Sequence, residues 1–472
     1  MGSKEYDCGM IGLGTMGRNL AYNLCDHGFK VAGFDKDPSK LEDLAKEKGS
    51  YELLGAKTIK EFIGCLNKPR IILLLVPAGP IVDSVITEIL PLLAENDIVM
   101  DCGNSHFTDT DRRISALKPK GIYFMGVGVS GGEAGARYGP SIMPGGDRSA
   151  YDRVALLLEA VSAKVKDEPC VAYMGPGSAG HYVKMVHNGI EYALMQLIAE
   201  TYQLLKDVAG LTNDEMHEVF ENWDQGELES YLIKITSDIF IEKDPLSRHD
   251  LLDMILDTAH QKGTGMWVSQ DAMELQIPVP SIDAAVSARD LSALKEERIA
   301  ASAKLFGPVK NFIEERIVFL KELEQALYFA MITTYAQGFS LLNAASKQYG
   351  YHLNLDEVAK IWRGGCIIRA SVLENIRIAF SGDPGLTNLM MNPVMAEKLM
   401  RSQDNIRQVV STGVETGITV PVFMASLAYF DGYRSAWLPS NLVQAQRDYF
   451  GAHTYQRTDR EGDFHSEWDQ KN

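Results

Sequence analysis

Cys8-Gly-Met-Ile-Gly12-Leu-Gly14-Thr-Met-Gly17 begins as a short apolar strand and continues into a glycine-rich turn. Residues 18–24, which follow, have the apolar spacing of an amphipathic helix, and Gly28 supplies a stop signal. A second strand, Lys30-Val-Ala-Gly-Phe34, ends at Asp35. A strand, a glycine turn, a helix, a strand and an acid in this order predict a dinucleotide-binding unit.

The glycines of this turn have separate tasks in such a unit. Gly12 permits the tight turn, Gly14 lets backbone N–H groups reach a pyrophosphate, and Gly17 allows close packing of helix and strand. A glycine turn alone is a weak signal, but the acid 18 residues after the last glycine strengthens it. The residues predicted to hold the cofactor here are Gly12, Leu13, Gly14, Thr15, Met16 and Gly17.

The residues after the second strand bear on the choice of cofactor. A carboxylate at the position of Asp35 accepts hydrogen bonds from a ribose 2′-hydroxyl and repels a 2′-phosphate. Asp37 adds negative charge, and Lys36 partly offsets it. By charge alone, Asp35, Lys36 and Asp37 favour NAD over NADP.

Later strands extend the same pattern. Buried strands are predicted at residues 70–76, 97–101 and 123–127, with helical segments between them. Residues 1–178 are therefore predicted to form a Rossmann-type, doubly wound α/β domain. Ligands of such sheets bind at the strand ends, although the same residue types also serve ordinary turns. The candidates at these ends are Val76, Pro77, Ala78, Asn104, Ser130, Gly131 and Gly132.

The remainder of the chain has a different pattern. From residue 179 to 435 the apolar spacing is helical almost throughout, which predicts a large all-α domain. Residues 436–472 have weaker periodicity but contain aromatic side chains. They are predicted to be a C-terminal tail that docks onto another subunit.

Composition limits the class of protein. The chain has 472 residues, of which 46% are apolar and 23% charged, as is typical of a soluble multidomain protein. A formal net charge of −17 argues against nucleic acid or an anionic membrane as the main partner. The six cysteines are scattered without metal-ligand spacing, so no metal and a reducing compartment are expected. Without a targeting segment or a membrane-length apolar run, a cytoplasmic location is expected.

A polar stripe is predicted on the first helix of the second part. If that segment is helical, Lys184, His187, Asn188, Glu191 and Tyr192 fall on one face. Lys184 and Glu191 are then roughly 10 Å apart along the helix axis. A linear sugar acid fits between such a base and such an acid, whereas a solvated helix face is the ordinary alternative.

The spacing Gly177-x-x-Gly180-x-x-x-Lys184-x-x-x-Asn188 resembles the substrate signature of the β-hydroxyacid dehydrogenases. Further blocks narrow the resemblance to the 6-phosphogluconate dehydrogenase family and cover nearly the whole chain. These blocks are Asp101-Cys-Gly-Asn-Ser105, Gly128-Val-Ser-Gly-Gly-Glu133, His187-Asn-Gly-Ile-Glu-Tyr192, Lys262-Gly-Thr-Gly-Met-Trp267, Trp362-Arg-Gly-Gly-Cys-Ile-Ile-Arg369 and Gln446-Arg-Asp-Tyr-Phe-Gly-Ala-His453.

The resemblance implies a metal-free reaction of the pentose phosphate pathway. In this reaction C3 of 6-phosphogluconate is oxidised, CO2 is lost, and ribulose 5-phosphate forms. The resemblance implies that Lys184 is the general base for the 3-hydroxyl group and that Glu191 is the general acid that protonates C1. Such a lysine needs a lowered pKa and such a carboxyl a raised one. The implied substrate-positioning residues are Asn104, Ser130, Gly131, Gly132, His187 and Asn188.

The resemblance also implies how the substrate phosphate is bound. The matching positions within one chain are Tyr192, Lys262, Thr264 and Arg289. In the family, residues corresponding to Arg447 and His453 reach over from the second subunit of a homodimer. Residues 179–435 are thus implied to be a substrate and dimerisation domain, and 436–472 a tail that completes the neighbouring active site. Taken alone, Lys262 or Arg289 would be an ordinary solvated charge.

The chain departs from the family at the cofactor site. The family usually has Asn-Arg-Thr where this chain has Asp35-Lys36-Asp37, and that Arg and Thr bind the NADP 2′-phosphate. The family habit therefore predicts NADP, whereas the residues of this chain predict NAD or a relaxed specificity.

Two other functions remain open. Another β-hydroxyacid dehydrogenase, acting on a smaller acid, would lack the long helical extension and the tail that bears Arg447 and His453. A non-catalytic NAD(P)-binding sensor would normally have lost the base or the acid, but Lys184 and Glu191 are both present.

Overall fold

A computed structural model describes residues 5–46, 49, 51–308 and 315–468. The chain divides into two compact units, Met1–Ser426 and Leu427–Asn472. The first unit contains a sheet flanked by helices and then a long helical part. Within the described residues, no helix is both long and apolar enough to span a membrane.

The main sheet has seven strands in the order β3-β2-β1-β4-β5-β6-β7. The strands are β1 (Cys8–Ile11), β2 (Val31–Phe34), β3 (Leu53–Gly55), β4 (Ile71–Leu74), β5 (Ile98–Asp101), β6 (Tyr123–Ser130) and β7 (Ser141–Gly145). Strands β1 to β6 are parallel to their neighbours, and β7 runs antiparallel to β6. The predicted doubly wound α/β fold is confirmed, and the antiparallel edge strand is an addition to it.

Helices follow the strands and cover both faces of the sheet. They are α1 (Thr15–Asp26), α2 (Pro38–Lys46), α3 (Ile59–Gly64), α4 (Pro80–Ile89), α5 (Phe107–Leu117), α6 (Gly132–Tyr138) and α7 (Arg148–Val161). A short hairpin, β8 (Lys164–Val165) and β9 (Glu168–Pro169), precedes the helical part.

Side chains that alternate along the strands pack into two apolar cores, one on each face of the sheet. On one face, Met10 and Met100 belong to a buried cluster with residues of α1 and α7. On the other face, Ile11 and Val99 belong to a cluster with residues of α3 and α4. Because both faces are covered, these strands are apolar throughout, as expected of a parallel sheet.

The predicted all-α domain is confirmed as a helical part that begins with α8. Its helices are α8 (Ala179–Asp207), α9 (Asn213–Trp223), α10 (Tyr231–Ile241), α11 (Leu251–Met254), α12 (Thr264–Glu274), α13 (Pro280–Ala293), α14 (Lys295–Ser302), α15 (Arg316–Gln348), α16 (Leu355–Trp362), α17 (Val372–Gly382), α18 (Pro393–Thr416) and α19 (Pro421–Tyr433). Helix α8 packs against α12, α13 and α15, and α15 also packs against α18.

Helix α8 also lies very close to the sheet. A Cβ atom at Gly180 would lie 2.2 Å from the Met143 oxygen and 2.3 Å from the Gly126 oxygen. A Cβ atom at Gly128 would lie 2.5 Å from Cβ of Lys184. The glycines therefore let the start of α8 contact the backbone of β6 and β7, which brings Lys184 to the carboxyl end of β6.

We expect Gly180→Ala to lower the free energy of unfolding by about 1–3 kcal/mol or more. The added methyl group would meet two backbone oxygens, which cannot rotate away. The matched control is Gly64→Ala in α3, where the new Cβ has open space. Denaturant unfolding followed by circular dichroism checks this, and equal midpoints for the two variants would contradict it.

Helix α8 holds a second helix through a buried carboxyl group. Glu200 is 2% exposed. Its carboxylate accepts the backbone N–H groups of Val422 at 3.0 Å and Phe423 at 3.2 Å. These groups belong to the first turn of α19, so Glu200 satisfies donors that have no partner within their own helix.

Burial raises the pKa of Glu200 from its usual value of 4.5 to about 7, although the two backbone hydrogen bonds oppose the rise. The folded state thus binds this proton more tightly than the unfolded state, and stability falls as pH rises from about 4.5 to about 7. By linkage, the loss is about 3 kcal/mol.

We therefore expect the stability of Glu200→Gln, relative to the unsubstituted protein, to increase between pH 5 and pH 8. Glutamine has no charge to bury, so it lacks the loss that glutamate undergoes at higher pH. Unfolding midpoints at both pH values measure the difference. Glu218→Gln, which alters an exposed carboxyl group of α9, is the control. A stability difference that stays constant with pH would rule out this role of Glu200.

The second unit contains the end of α19, helix α20 (Ser440–Gly451) and a hairpin of β10 (Tyr455–Gln456) and β11 (Asp463–Phe464). Within it, the buried Asp448 carboxylate accepts the N–H groups of Thr454, Ser466 and the Trp468 ring. The predicted tail thus has helical structure that its weak apolar periodicity did not indicate. Its large exposed apolar side chains, among the described residues, are Trp437, Leu438, Leu442, Val443, Tyr449, Phe450 and Trp468.

Candidate active site

The glycine turn between β1 and α1 has the geometry that a dinucleotide needs. Gly12 has a φ of +94°, and a Cβ atom there would lie 2.4 Å from the Leu75 oxygen. A Cβ atom at Gly17 would lie 1.9 Å from the Gly12 oxygen. At Gly14, by contrast, a Cβ atom would have no neighbour within 4 Å. Helix α1 also begins without a side-chain cap, so an anion such as a pyrophosphate could approach its first N–H groups through the open space at Gly14.

A cavity of about 470 Å³ adjoins this turn. The predicted cofactor residues in its wall are Gly12, Gly14, Asp35, Lys36, Val76 and Pro77. The other residues predicted to bind the cofactor are not part of the wall. They are Leu13, Thr15, Met16, Gly17, Asp37, Ala78 and Asn104. Apolar side chains of Ile59, Ile81 and Val85 complete the wall and suit a planar base.

The Asp35 carboxylate lies at the end of β2 and binds the backbone on both sides. It accepts the N–H group of Leu13 at 2.7 Å and that of Asp37 at 2.9 Å. The amine of Lys36 lies 2.9 Å from a carboxylate oxygen of Glu88, on α4. Glu88 was not predicted from the sequence, because nothing in its spacing relates it to the glycine turn.

The predicted polar stripe on α8 is confirmed as one face of a helix, and most of it is buried. Lys184 is only 6% exposed. Burial lowers the pKa of Lys184 from its usual value, although the nearby Glu191 opposes this. The Lys184 amine is therefore more readily neutral than an ordinary lysine and suited to accept a proton.

His187 is fully buried beside Lys184, with Nδ1 lying 3.4 Å from the Lys184 Nζ atom. Nε2 lies 3.2 Å from Oγ of Ser130, and Nδ1 lies 3.2 Å from Oδ1 of Asn188. Burial and the Lys184 charge lower the pKa of His187 well below its usual value. The 3.6 Å approach of Glu191 to Nδ1 is therefore a contact with a neutral ring rather than an ion pair.

Glu191 lies two turns beyond Lys184 on the same face. Burial raises the pKa of its carboxyl group, although the charges of Lys184 and Arg289 oppose the rise. The Arg289 guanidinium stacks on the Tyr192 ring, 3.5 Å from its centre. One helix thus presents an amine that tends to be neutral and a carboxyl group that tends to be protonated.

A pocket at the start of α8 brings together predicted residues from three parts of the chain, namely Asn104, Lys184, Asn188 and Thr264. Its wall also contains Ser105, which follows Asn104 in the block at the end of β5, and three residues that were not predicted as site residues: His181, Met185 and Trp267. His181 lies three residues before Lys184, so the helical spacing could have identified it. Nδ1 of the His181 ring lies 2.6 Å from Oγ1 of Thr110, and Nε2 lies 2.9 Å from the backbone oxygen of Asp101. These two contacts fix the orientation of the ring.

The glycine pair after β6 has two roles. Gly131 has a φ of +124°, and a Cβ atom there would lie 2.4 Å from the Gly365 oxygen. A Cβ atom at Gly132 would meet nothing within 4 Å. Gly131 therefore makes a close backbone contact, whereas Gly132 leaves open space.

The predicted phosphate residues are only partly brought together. Thr264 begins α12, and a Cβ atom at the next residue, Gly265, would lie 2.5 Å from the Tyr192 ring, so α12 packs directly on Tyr192. Lys262, just before this helix, is exposed. Arg447 and His453 belong to the second unit, where both are exposed. Among the described residues, no group of three or more His, Cys, Asp or Glu side chains is arranged to hold a metal ion.

Comparison with known proteins identifies relatives of the whole chain. The model of the NAD binding domain of 6-phosphogluconate dehydrogenase matches residues 7–175. The model of the 6-phosphogluconate dehydrogenase C-terminal domain matches residues 180–468.

Individual relatives are similar over nearly their full length. The NADP(+)-dependent, decarboxylating 6-phosphogluconate dehydrogenase of Bacillus subtilis is 51% identical over 461 residues, which cover 98% of each chain. The decarboxylating 6-phosphogluconate dehydrogenase of Synechocystis sp. is 50% identical over 467 residues, covering 98% of this chain and 97% of the relative.

A solved structure agrees with these relatives. It is the 6-phosphogluconate dehydrogenase of Plasmodium falciparum, studied in its apo form, with its cofactor NADP+ and with its substrate 6-phosphogluconate. The two structures superpose with a TM-score of 0.94 at 45% sequence identity. The match covers 98% of this chain and 100% of the solved one. The resemblance inferred from the sequence motifs is confirmed: this chain belongs to the 6-phosphogluconate dehydrogenase family.

Proposed function

We propose that this protein oxidatively decarboxylates 6-phospho-D-gluconate to D-ribulose 5-phosphate and CO2, with reduction of a nicotinamide dinucleotide. The observation that carries the proposal is the pairing on α8 of a buried amine with a lowered pKa and a carboxyl group with a raised pKa. The family relationship supports the same reaction, a step of the pentose phosphate pathway.

Lys184 acts as the general base in the first step. Its neutral amine takes the proton of the substrate 3-hydroxyl group while the hydrogen on C3 leaves as hydride. The dinucleotide, when bound, accepts this hydride. The buried, neutral His187 supports the role of Lys184, because it sets the amine's position without adding a second positive charge.

Lys184 and Glu191 share the remaining steps. The C1 carboxylate of the 3-keto acid leaves as CO2, and the electrons of the broken C1–C2 bond form a double bond between C2 and C3. The Lys184 ammonium group returns its proton to the C3 oxygen, giving an enediol. Glu191 then donates a proton to the former C2, which becomes C1 of ribulose 5-phosphate. The hydroxyl group on the former C3 loses its proton and becomes the C2 carbonyl group of the product.

The other site residues position the two ends of the substrate. Near C1 to C3 we assign Asn104, Ser130, Gly131, Gly132, His187 and Asn188. At the phosphate we assign Tyr192, Lys262, Thr264 and Arg289, together with Arg447 and His453 of a second subunit. This arrangement requires a homodimer and supplies the local cations that an acidic chain needs to bind a dianion.

The cofactor is held by the glycine turn, with the adenosine end in the adjoining cavity. We propose that this chain prefers NAD to NADP, because Asp35 and Asp37 bring two carboxylates to the ribose end. The named Bacillus relative uses NADP, so the preference depends on this chain's own residues.

Initial rates with 6-phosphogluconate test the proposal. They are measured with NAD and NADP in parallel, and the released CO2 is trapped. Turnover with release of CO2 and a higher kcat/KM for NAD is the expected result. A higher kcat/KM for NADP would keep the reaction and reject the cofactor preference. Dinucleotide binding without release of CO2 would favour a non-catalytic sensor.

A further inference from the structure

The ribose end of the cofactor cavity contains a charge pair that the glycine motif does not explain. Lys36 immediately follows Asp35 at the end of β2, and Glu88 lies in the last turn of α4, across the cavity. The Lys36 amine lies 2.9 Å from a Glu88 carboxylate oxygen, with the two side chains 62% and 37% exposed. The pair therefore connects two walls of the cavity at its solvent-facing rim.

The balance of charge at this rim is negative. Lys36 carries one positive charge, whereas Asp35 and Glu88 each carry a negative one. The other cation of the wall, Lys40, lies near the carboxylates of Asp37 and Asp43. Each cation in the cavity wall thus has an acidic neighbour, which reduces its attraction for a phosphate group.

An exposed lysine beside a ribose would normally be expected to bind a 2′-phosphate. Glu88 opposes this in two ways, because it orients the Lys36 amine toward α4 and adds its own negative charge. An exposed ion pair of this kind is weak, so its main effect is on local charge rather than on stability.

We propose that Glu88 is a specificity-determining residue that disfavours 2′-phosphorylated dinucleotides by holding the Lys36 amine. The proposal rests on the nicotinamide cofactor of the proposed function. It concerns only the adenosine end, and so it can be tested without the reaction.

The experiment measures binding of ADP and of 2′,5′-ADP by calorimetry at low ionic strength, where exposed charges are least screened. We expect Glu88→Gln to tighten 2′,5′-ADP binding about fivefold or more and to change ADP binding less than about twofold. Glu218→Gln, which removes the same charge from an exposed position on α9, should leave both affinities unchanged.

A double-mutant cycle tests whether Glu88 acts through Lys36. In a Lys36→Gln background, the effect of Glu88→Gln on 2′,5′-ADP should be clearly smaller, about twofold, since only the repulsion by the Glu88 charge itself remains to be removed. A full effect in that background, or an equal change for both nucleotides, would overturn the proposal. Failure of ADP to bind any variant would instead overturn the cofactor site itself.

Discussion

Replacing Lys184 with methionine is expected to lower kcat for 6-phosphogluconate oxidation by about 10³- to 10⁴-fold, in the upper range for loss of a general acid–base. Methionine is similar in length and apolar, so it suits the buried position, where Lys184 is only 6% exposed. It has no basic group to accept the 3-hydroxyl proton. The rate is checked by following the formation of the reduced dinucleotide, either by stopped flow or by steady-state assays over long times.

Lys184→Arg is the informative control. Arginine keeps the positive charge but stays protonated in proteins, so it cannot act as a base. We expect this variant to remain about as inactive as the methionine variant while it still binds the substrate. An arginine variant with more than about a tenth of the native kcat would reject proton transfer to Lys184 in favour of a purely electrostatic role.

The pH dependence of the native activity should also reflect the protonation of Lys184. Because burial lowers the pKa of Lys184, the neutral amine is present at a lower pH than for an ordinary lysine. Activity is lost as pH falls through this lowered pKa and the amine becomes protonated.

Replacing Glu191 with glutamine is expected to lower kcat by about 10²-fold or more and to change the shape of the pH profile. Glu191 acts in its protonated form, and burial raises the pKa of its carboxyl group. Native activity should therefore be lost as pH rises through that pKa. Glutamine has no proton to lose, so this decline at high pH should be absent from the residual activity.

Glu191→Asp is the matched control, since it keeps a titratable carboxyl group on a shorter side chain. It should be slower than the native enzyme and yet keep the decline at high pH. Initial rates across a pH series, with release of CO2 followed separately from dinucleotide reduction, make the comparison. An unchanged pH profile in Glu191→Gln would assign the final protonation to another group.

Most of the fold could be predicted from local patterns. The run from Cys8 to Asp35 contains its own order of strand, turn, helix and acid, so it predicted the start of the sheet. Strand β7 was missed because its direction depends on pairing with β6 rather than on its own sequence. Helix α20 was missed because the helix is largely exposed, and exposed helices lack the apolar spacing that the prediction uses.

The candidate site was predictable where one element carries several of its residues. The polar stripe of α8 follows from helical spacing alone. Glu88 and Trp267 were missed because they reach their cavities from separate helices, α4 and α12. The burial that shifts the pKa of Lys184 and Glu191 also required the structure, since it arises from packing against β6, α12 and α13.

Glycine contacts hold α8 tightly against β6 and β7, and this affects the oxidation step and the later steps of catalysis differently. Lys184 and Glu191 belong to one helix, so the spacing between them is fixed by the helical rise and does not change when the sheet moves. The glycine turn after β1, where we propose that the dinucleotide binds, lies at the carboxyl edge of the same sheet, three strands away from β6. In the proposed mechanism, a shift of the dinucleotide in this turn would alter the hydride-transfer distance, while the carbon chain would stay between Lys184 and Glu191. We therefore expect the oxidation step to depend on how the dinucleotide lies in the turn, and the later carbon–carbon cleavage and tautomerisation to depend on the fixed spacing along α8.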